Sequence, residues 1–477
     1  MTAVIDFLNG LLWGQVLIPL LLGMGVLFTV RLRLLQVRKL GHMFSIVLSG
    51  QREDASGISP FQALCTSLAS RVGTGNLAGV AVAIYLGGAG AIFWMWVTAL
   101  LGMATGYAES ALAQLYKVKD ANGNYRGGPA YYIERGLGQR WLGMVFAVLL
   151  IIAFGFVFNA VQANSIARAM HTAFGIDTLL TGAVVTVLAG VVIFGGVRSI
   201  AHVAEKLVPA MALIYLAIAL AIMAMNLDQV PVVFGQIISS AFGFDQAAGG
   251  LIGGLTVALM NGVKRGLFSN EAGMGSAPNA AACATPMPHH PASQGFVQSL
   301  GVFIDTIVVC SCTAFIILLS GVYEPGSGVS GVELTQQALD ANLGGYGSAI
   351  IAIAILFFAF TSIIGNYMYA ENNVVYLMGN KTPRAGLLLT RCLVLAMVMW
   401  GAWEKVGIVW NSADAAMGLM AVVNLVALLL LSGVVVKLTG DYEAQLKRGQ
   451  VPQFDPGTVE LPGTIDKTIW VDRNTQP

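Results

Sequence analysis

Apolar runs of about 20 residues recur along this chain, each long enough to cross a hydrocarbon core of about 30 Å. The pattern predicts eleven spans: 8–30, 58–86, 91–116, 141–171, 178–196, 203–225, 249–284, 295–321, 345–378, 385–402 and 411–436. The longest polar stretches are 31–57, 117–140, 322–344 and the tail after Lys437, which reads as solvated. The expected fold class is an all-α membrane protein. Lys and Arg gather in alternate loops, at Arg31–Arg52, Lys117–Arg140, Arg198–Lys206, Lys381–Arg384 and from Lys437 onward, while 226–248 and 322–344 hold none. By the positive-inside rule the N-terminus lies outside and the C-terminus in the cytoplasm, with the chain multi-pass in the inner (plasma) membrane.

Two spans are polar in the middle. Span two contains Ser67-Leu68-Ala69-Ser70-Arg71-Val72-Gly73-Thr74-Gly75-Asn76, and span seven contains Phe268-Ser269-Asn270-Glu271-Ala272-Gly273-Met274-Gly275. Gly costs about 1 kcal/mol per interior helix position, so both spans are expected to unwind near the bilayer midplane, span seven across 261–276. Their starts are five spans apart. Five is odd, so a repeat of that size is inverted across the membrane. This predicts an extra helix and loop over 1–57, repeats over 58–248 and 249–436, and a cytoplasmic tail over 437–477. Paired broken helices are the sequence mark of a transport site.

An unwound stretch presents amide N–H groups of one polarity and carbonyls of the other. A zwitterion fits this arrangement, its carboxylate on the N–H groups of Thr74, Gly75 and Asn76 and its ammonium on carbonyls around Phe268. Gly73 and Gly75 permit close backbone approach, and Ser269, Asn270, Glu271 and Gly273 complete the second break. A cation would take carbonyls near Ala69 and Val72 with hydroxyls from a neighbouring span. The alternative for Gly73–Asn76 is a tight packing patch. Thr361 and Ser362 in span nine either serve a cation or bond the preceding turn. Gln162 and Asn164 either face the pocket or bond between helices. Glu271 has a structural or a proton-linked role. Phe156, Phe158, Phe268 and Trp400 or Trp403 are the candidate pocket walls. Residues 331–342 form either an external lid or an inert loop helix.

Composition narrows the class. Of 477 residues, 56% are hydrophobic and 10% charged, too few charges for a water-facing surface. The net charge of +1 gives no electrostatic case for nucleic acid. The five cysteines form no CxxC pair, and His289-His290 has no ligand partner at metal spacing. No His, Asp or Cys cluster suggests an enzyme. The first apolar segment lacks a basic leader and is read as a retained helix.

Four stretches resemble the alanine or glycine:cation symporter family: Gly73–Gly79, Gly87–Gly102, Gly127–Ile133 and Ser269–Ser276. The resemblance runs from the first span to the last. It implies a leucine-transporter-like fold with one extra N-terminal helix, and sodium-driven uptake of a small neutral amino acid, alanine or glycine, by a functional monomer in membrane lipid. Glutamine is a further substrate in such a family. It also implies a co-transported sodium ion held by Ala69, Val72, Phe358, Thr361 and Ser362, with no organic cofactor.

Overall fold

The computed structural model describes residues 2–49, 56–243, 254–324, 328–329 and 331–470. Among them, eight helices are long and apolar enough to cross a membrane. These are α1 (Ile5–Arg31), α5 (Gly90–Leu115), α7 (Arg140–Phe174), α9 (Gly196–Met225), α13 (Pro291–Ser320), α15 (Gly347–Leu377), α16 (Arg384–Trp403) and α17 (Gly407–Leu430). The other three expected spans fall on α8 (Thr178–Phe194) and on two interrupted helices. Although α8 is short, Val187 and Val191 stand 66% and 72% exposed, an apolar face that only lipid satisfies. The chain is a multi-pass membrane protein.

The first interrupted helix runs α3 (Pro60–Arg71), then a break, then α4 (Gly75–Gly87). α3 opens on a capping box, in which Ser59 Oγ accepts the Gln62 N–H and Gln62 Oε1 accepts the Ser59 N–H. It ends where Val72 turns to φ −80°, ψ 82°. The second runs α11 (Gly254–Asn270), a break, and the single turn α12 (Pro278–Ala282). Here the backbone enters the left-handed region at Glu271 (φ 57°), Gly273 (φ 86°) and Gly275 (φ 84°). Only glycine tolerates this without strain, so the Glu271 conformation is held by its surroundings. Both breaks are narrower than expected. Val72–Thr74 interrupt the first, and 261–270 remain helical in the second, where Arg265 pairs with Asp414 and Ser269 with Asp305 on neighbouring helices.

Smaller elements fill the polar stretches. They are α2 (Leu40–Ser49), the hairpin β1 (Val118–Lys119) and β2 (Tyr125–Arg126), α6 (Pro129–Leu137), α10 (Val230–Ala241), α14 (Val332–Leu343) and α18 (Ser432–Lys447). The basic loops gather at one face, where Arg31 Nη1 donates to Ser432 Oγ (2.7 Å), Arg38 pairs with Glu443 (3.1 Å) and Asn122 Nδ2 donates to Thr382 Oγ1 (3.1 Å).

The tail corrects the sequence reading. It is not a solvated strand: Phe454, Ile469 and Trp470 are buried. The Phe454 N–H donates to His289 O (3.0 Å), Tyr116 Oη donates to Pro462 O (2.7 Å), and the Thr464 N–H donates to Arg135 O (2.9 Å). Three widely spaced apolar residues carry no helical or strand period, which is why the packing was not visible in sequence. α9 also departs from expectation. It starts at Gly196 rather than 203, running straight through Arg198 and Lys206.

Candidate functional site

The two breaks meet. A Cβ on Gly75 would stand 3.0 Å from the Phe268 ring and 3.2 Å from Ser269 Cα, so only glycine lets the start of α4 touch the end of α11. At the first break the Gly73 N–H donates to Asn76 Oδ1 (3.0 Å) and the Thr74 N–H donates to Gln162 Oε1 (3.1 Å). Gln162 therefore faces the break. Asn164 does not, since its Nδ2 donates to Gly401 O (2.8 Å) and Glu404 O (2.9 Å), tying α7 to α16. Thr74 Oγ1 and Asn270 Nδ2 are buried and have no partner among the described residues. An unpaired buried polar group costs about 1–3 kcal/mol.

The second break is pinned from several sides. Glu271 accepts from Ser70 Oγ (2.6 Å) and Ser276 Oγ (2.5 Å), so it holds the end of α3 against the unwound strand. Glu109 of α5 accepts from Asn424 Nδ2 (2.9 Å) and from the Gly273 N–H (3.3 Å). The Glu271 N–H takes the last helical acceptor, Leu267 O (2.9 Å), which leaves the carbonyls of Phe268 and Ser269 past the end of the helical ladder.

Asp305 is a further buried acid at this junction. A π-helical turn at Phe303–Cys310 of α13 carries it to the junction, fully buried. There it accepts from Asn76 Nδ2 (2.7 Å), Ser269 Oγ (2.6 Å) and Thr306 Oγ1 (2.7 Å). One carboxylate thus clasps both interrupted helices. Nothing local in sequence signals this, because Asn76, Ser269 and Asp305 lie on three separate spans. Arg71 is buried too, and its Nη1 donates to Gln298 O (3.2 Å).

On the other side of α3, Ser362 Oγ lies 2.8 Å from Ala69 O and 3.0 Å from Phe358 O, and Thr361 Oγ1 lies 2.9 Å from Phe358 O. A Cβ on Gly73 would sit 2.2 Å from Ser362 Oγ. Four of the five expected cation ligands are therefore joined by hydrogen bonds, and the fifth, Val72, precedes the glycine that touches Ser362. The hydroxyls do bond the preceding turn, as the plainer reading held, and Ser362 also crosses to α3.

Aromatic rings cap the junction. Phe158 stacks on Phe268 (4.8 Å) and Phe268 leans on Trp410 (4.9 Å). Of the expected walls, Phe158 and Phe268 line up here. The tryptophan is Trp410 rather than Trp400 or Trp403, and Trp403 is 72% exposed. Above the rings Arg265 Nη2 makes two bonds to Asp414, at 2.9 and 2.7 Å. On the basic face, Arg126 pairs with Asp120 (2.9 Å) and Glu371 (3.1 Å), and Tyr367 Oη donates to Glu371 Oε2 (2.6 Å).

Two interrupted helices meeting inside an all-helical membrane body define a secondary transporter rather than an enzyme. The chain belongs to the sodium:alanine symporter family, whose model it matches over residues 1–456. It is 50% identical to the probable sodium/glutamine symporter GlnT of Bacillus subtilis (strain 168), across 94% of this chain and 92% of that protein. It is 44% identical to the sodium/alanine symporter AgcS of Methanococcus maripaludis, across 92% and 96%. Among solved structures, a manganese transporter of Eremococcus coleocola superposes with a TM-score of 0.53 at 16% identity, over 83% of this chain and 81% of that one. That likeness carries the fold, which is leucine-transporter-like.

Proposed function

We propose that the chain takes up a small neutral amino acid, alanine or glycine, by symport with sodium and alternating access. The carrying observation is the meeting of the two interrupted helices at Gly75, where amides at the start of α4 stand against Phe268 and Ser269, whose carbonyls lie past the end of the helical ladder. The carboxylate binds at the α4 start, on the amides of Gly75 and Asn76, displacing Gln162 from Thr74. The ammonium takes carbonyls beyond the ladder at Phe268 and Ser269. Glu271 and Gly273 shape the strand between. Glycine and alanine suit a site whose walls at Gly73 and Gly75 have no room for a methyl group.

Sodium, as co-transported substrate, is held by the carbonyls of Ala69, Val72 and Phe358 and the hydroxyls of Thr361 and Ser362. All five are hard oxygens, and turning the two hydroxyls frees their lone pairs for the ion. Because Ala69 and Val72 end α3, ion binding orders the same break that binds the carboxylate. One sodium entering at about 100 mV gains about 2.3 kcal/mol, and a tenfold gradient adds about 1.4 kcal/mol. That supports accumulation of a neutral substrate by several hundredfold.

The unit is a monomer in the plasma membrane, with the N-terminus outside and the basic face and tail in the cytoplasm. Repeats over 58–248 and 249–436 follow an extra segment, 1–57, and the tail covers 437–477. The test is uptake of labelled alanine into proteoliposomes, expected to collapse when choline replaces sodium. Equal uptake in both salts overturns the coupling. Unlabelled glycine, serine and glutamine in competition rank the substrates, since a relative named for glutamine is the most similar quoted above.

A further inference from the structure

A cavity of about 330 Å³ lies on the far side of the ring layer from the break junction. Asn164 and Arg168 of α7, Arg265 of α11, Glu333 of α14, and Trp410 and Asn411 of α17 line it. Arg265 and Trp410 line it on the side of the rings, the Arg265 guanidinium carbon standing 5.0 Å from the Trp410 ring and 5.8 Å from that of Phe268 behind it. Beyond Phe268 lies Gly75. Its roof is α14, anchored by Thr335 Oγ1 to Leu77 O (2.9 Å) and by Gln336 Nε2 to Ala169 O (3.2 Å).

The donors in this cavity are not used up. Arg265 is only 4% exposed, yet Asp414 engages just one of its nitrogens, and Nε and Nη1 have no acceptor among the described residues. Arg168 Nε also lacks one. The ionisable side chains lining the space are Arg168, Arg265 and Glu333, while Asp414 pairs with Arg265 behind the lining and has Lys264 at 3.9 Å. Cations outnumber acids by one. A guanidinium edge presents parallel N–H donors that fit a carboxylate. Glu333, on the roof helix, supplies a counter-charge for an ammonium.

We propose that this cavity is an outer binding subsite for the carboxylate of the incoming amino acid. Arg265 and Arg168 hold the carboxylate before the Arg265–Asp414 pair parts and the ring layer opens to the breaks. The inference rests on the amino-acid transport reading and adds a second, shallower site to it. It explains why Asp414 leaves most of the Arg265 donor edge free: the ligand takes that edge and competes for the cation that closes the path.

The test uses the full chain in detergent and in proteoliposomes. Gly75→Ala fills the break junction and should abolish uptake. The same variant should still bind labelled alanine, more weakly than wild type, and excess propionate, a carboxylate without an amine, should displace it. Adding Arg168→Gln should remove that residual binding. In the otherwise wild-type chain, Arg168→Gln should raise KM at least about fivefold with kcat within about twofold, the signature of lost uniform binding. The proposal is overturned if Gly75→Ala binds no alanine, if propionate fails to displace it, or if a folded Arg168→Gln protein keeps its KM. The Gly75→Ala and propionate arms stand even if Arg168→Gln does not fold. Absence of sodium-dependent uptake in the wild type would count instead against the transport reading.

Discussion

The break junction is flanked by two polar closures of different kinds. On the far face, one carboxylate, Asp414, pairs with Arg265 beneath a cavity, and a short stack of rings does the rest. On the basic face, Arg126 bridges two acids, Arg391 Nε donates to Tyr367 Oη (3.0 Å), and Asn279 Oδ1 collects donors from Asn372 and Asn373 (2.6 and 2.9 Å). The tail is then laid over the segment that follows the second break. The far closure is a single latch that a charged ligand can contest. The near closure is a network that no one ligand can undo, so release on that side needs a concerted rearrangement.

The largest expected effect tests that network. Arg126→Leu leaves Asp120 buried without its cation and Glu371 with only Arg391 at 3.9 Å, and should cost about 3–5 kcal/mol, read as a large drop in the thermal unfolding midpoint in detergent. Asp414→Asn removes the charge facing Arg265 and Lys264 but keeps an amide oxygen that accepts from Arg265, so its loss should be smaller, about 2 kcal/mol, while uptake falls sharply. If Asp414→Asn destabilises more than Arg126→Leu, the contrast between the two closures is wrong. Trp470→Ala should weaken tail docking by about 2 kcal/mol, seen as cleavage by added protease within 449–466 that is roughly thirtyfold faster. Uptake by that variant should persist.

The smallest effect is one of pH. His290 caps α13, its Nδ1 accepting the Ala292 N–H (3.1 Å) while Nε2 meets Asp441 Oδ2 (3.1 Å). Burial holds the imidazole below its ordinary value, and the hydrogen bond from His290 holds the Asp441 carboxyl below its own. A group whose folded pKa is depressed loses its stabilising effect as pH falls. For His290 the loss begins near the unfolded value of about 6.5, because a proton on Nδ1 removes the cap. About 1 kcal/mol should disappear between about pH 7.5 and 5.5, measured as a midpoint shift that His290→Asn, which retains a cap but does not titrate there, flattens. The Asp441 contribution goes only below the ordinary carboxylate range.

Much of this layout was legible in the chain. Long apolar runs, the glycine clusters at 73–79 and 273–275 and the placing of Lys and Arg each depend on local composition, and local composition is what a sequence displays. Ala69 was reached from the polarity of the break, Thr361 and Ser362 from their adjacent hydroxyls, and Phe358 through resemblance; the four lie together. Other features depend on contacts across hundreds of residues and were not legible. Asp305 is one acid in an apolar run until Asn76 and Ser269 are brought to it. Arg265 and Asp414 are 149 positions apart. Trp410 was passed over for Trp400 and Trp403 because the helix face it occupies depends on packing. The extent of the second break was overestimated because Arg265 and Ser269 reach Asp414 and Asp305 from within an intact helix, not from an open backbone.

The helix α3 is fastened to the second interrupted helix at both of its ends. Before its first turn, the Ile58 N–H donates to Cys283 O (3.0 Å) and the Thr285 N–H donates to Ile58 O (2.8 Å), and at its last turn Ser70 grips Glu271. Two half-helices joined twice have lost their independent freedoms and swing as one lever. A machine with a single lever has no setting in which one passenger's door is open and the other's is shut. On the symport reading proposed above, that linkage is what would tie ion and amino acid to one movement.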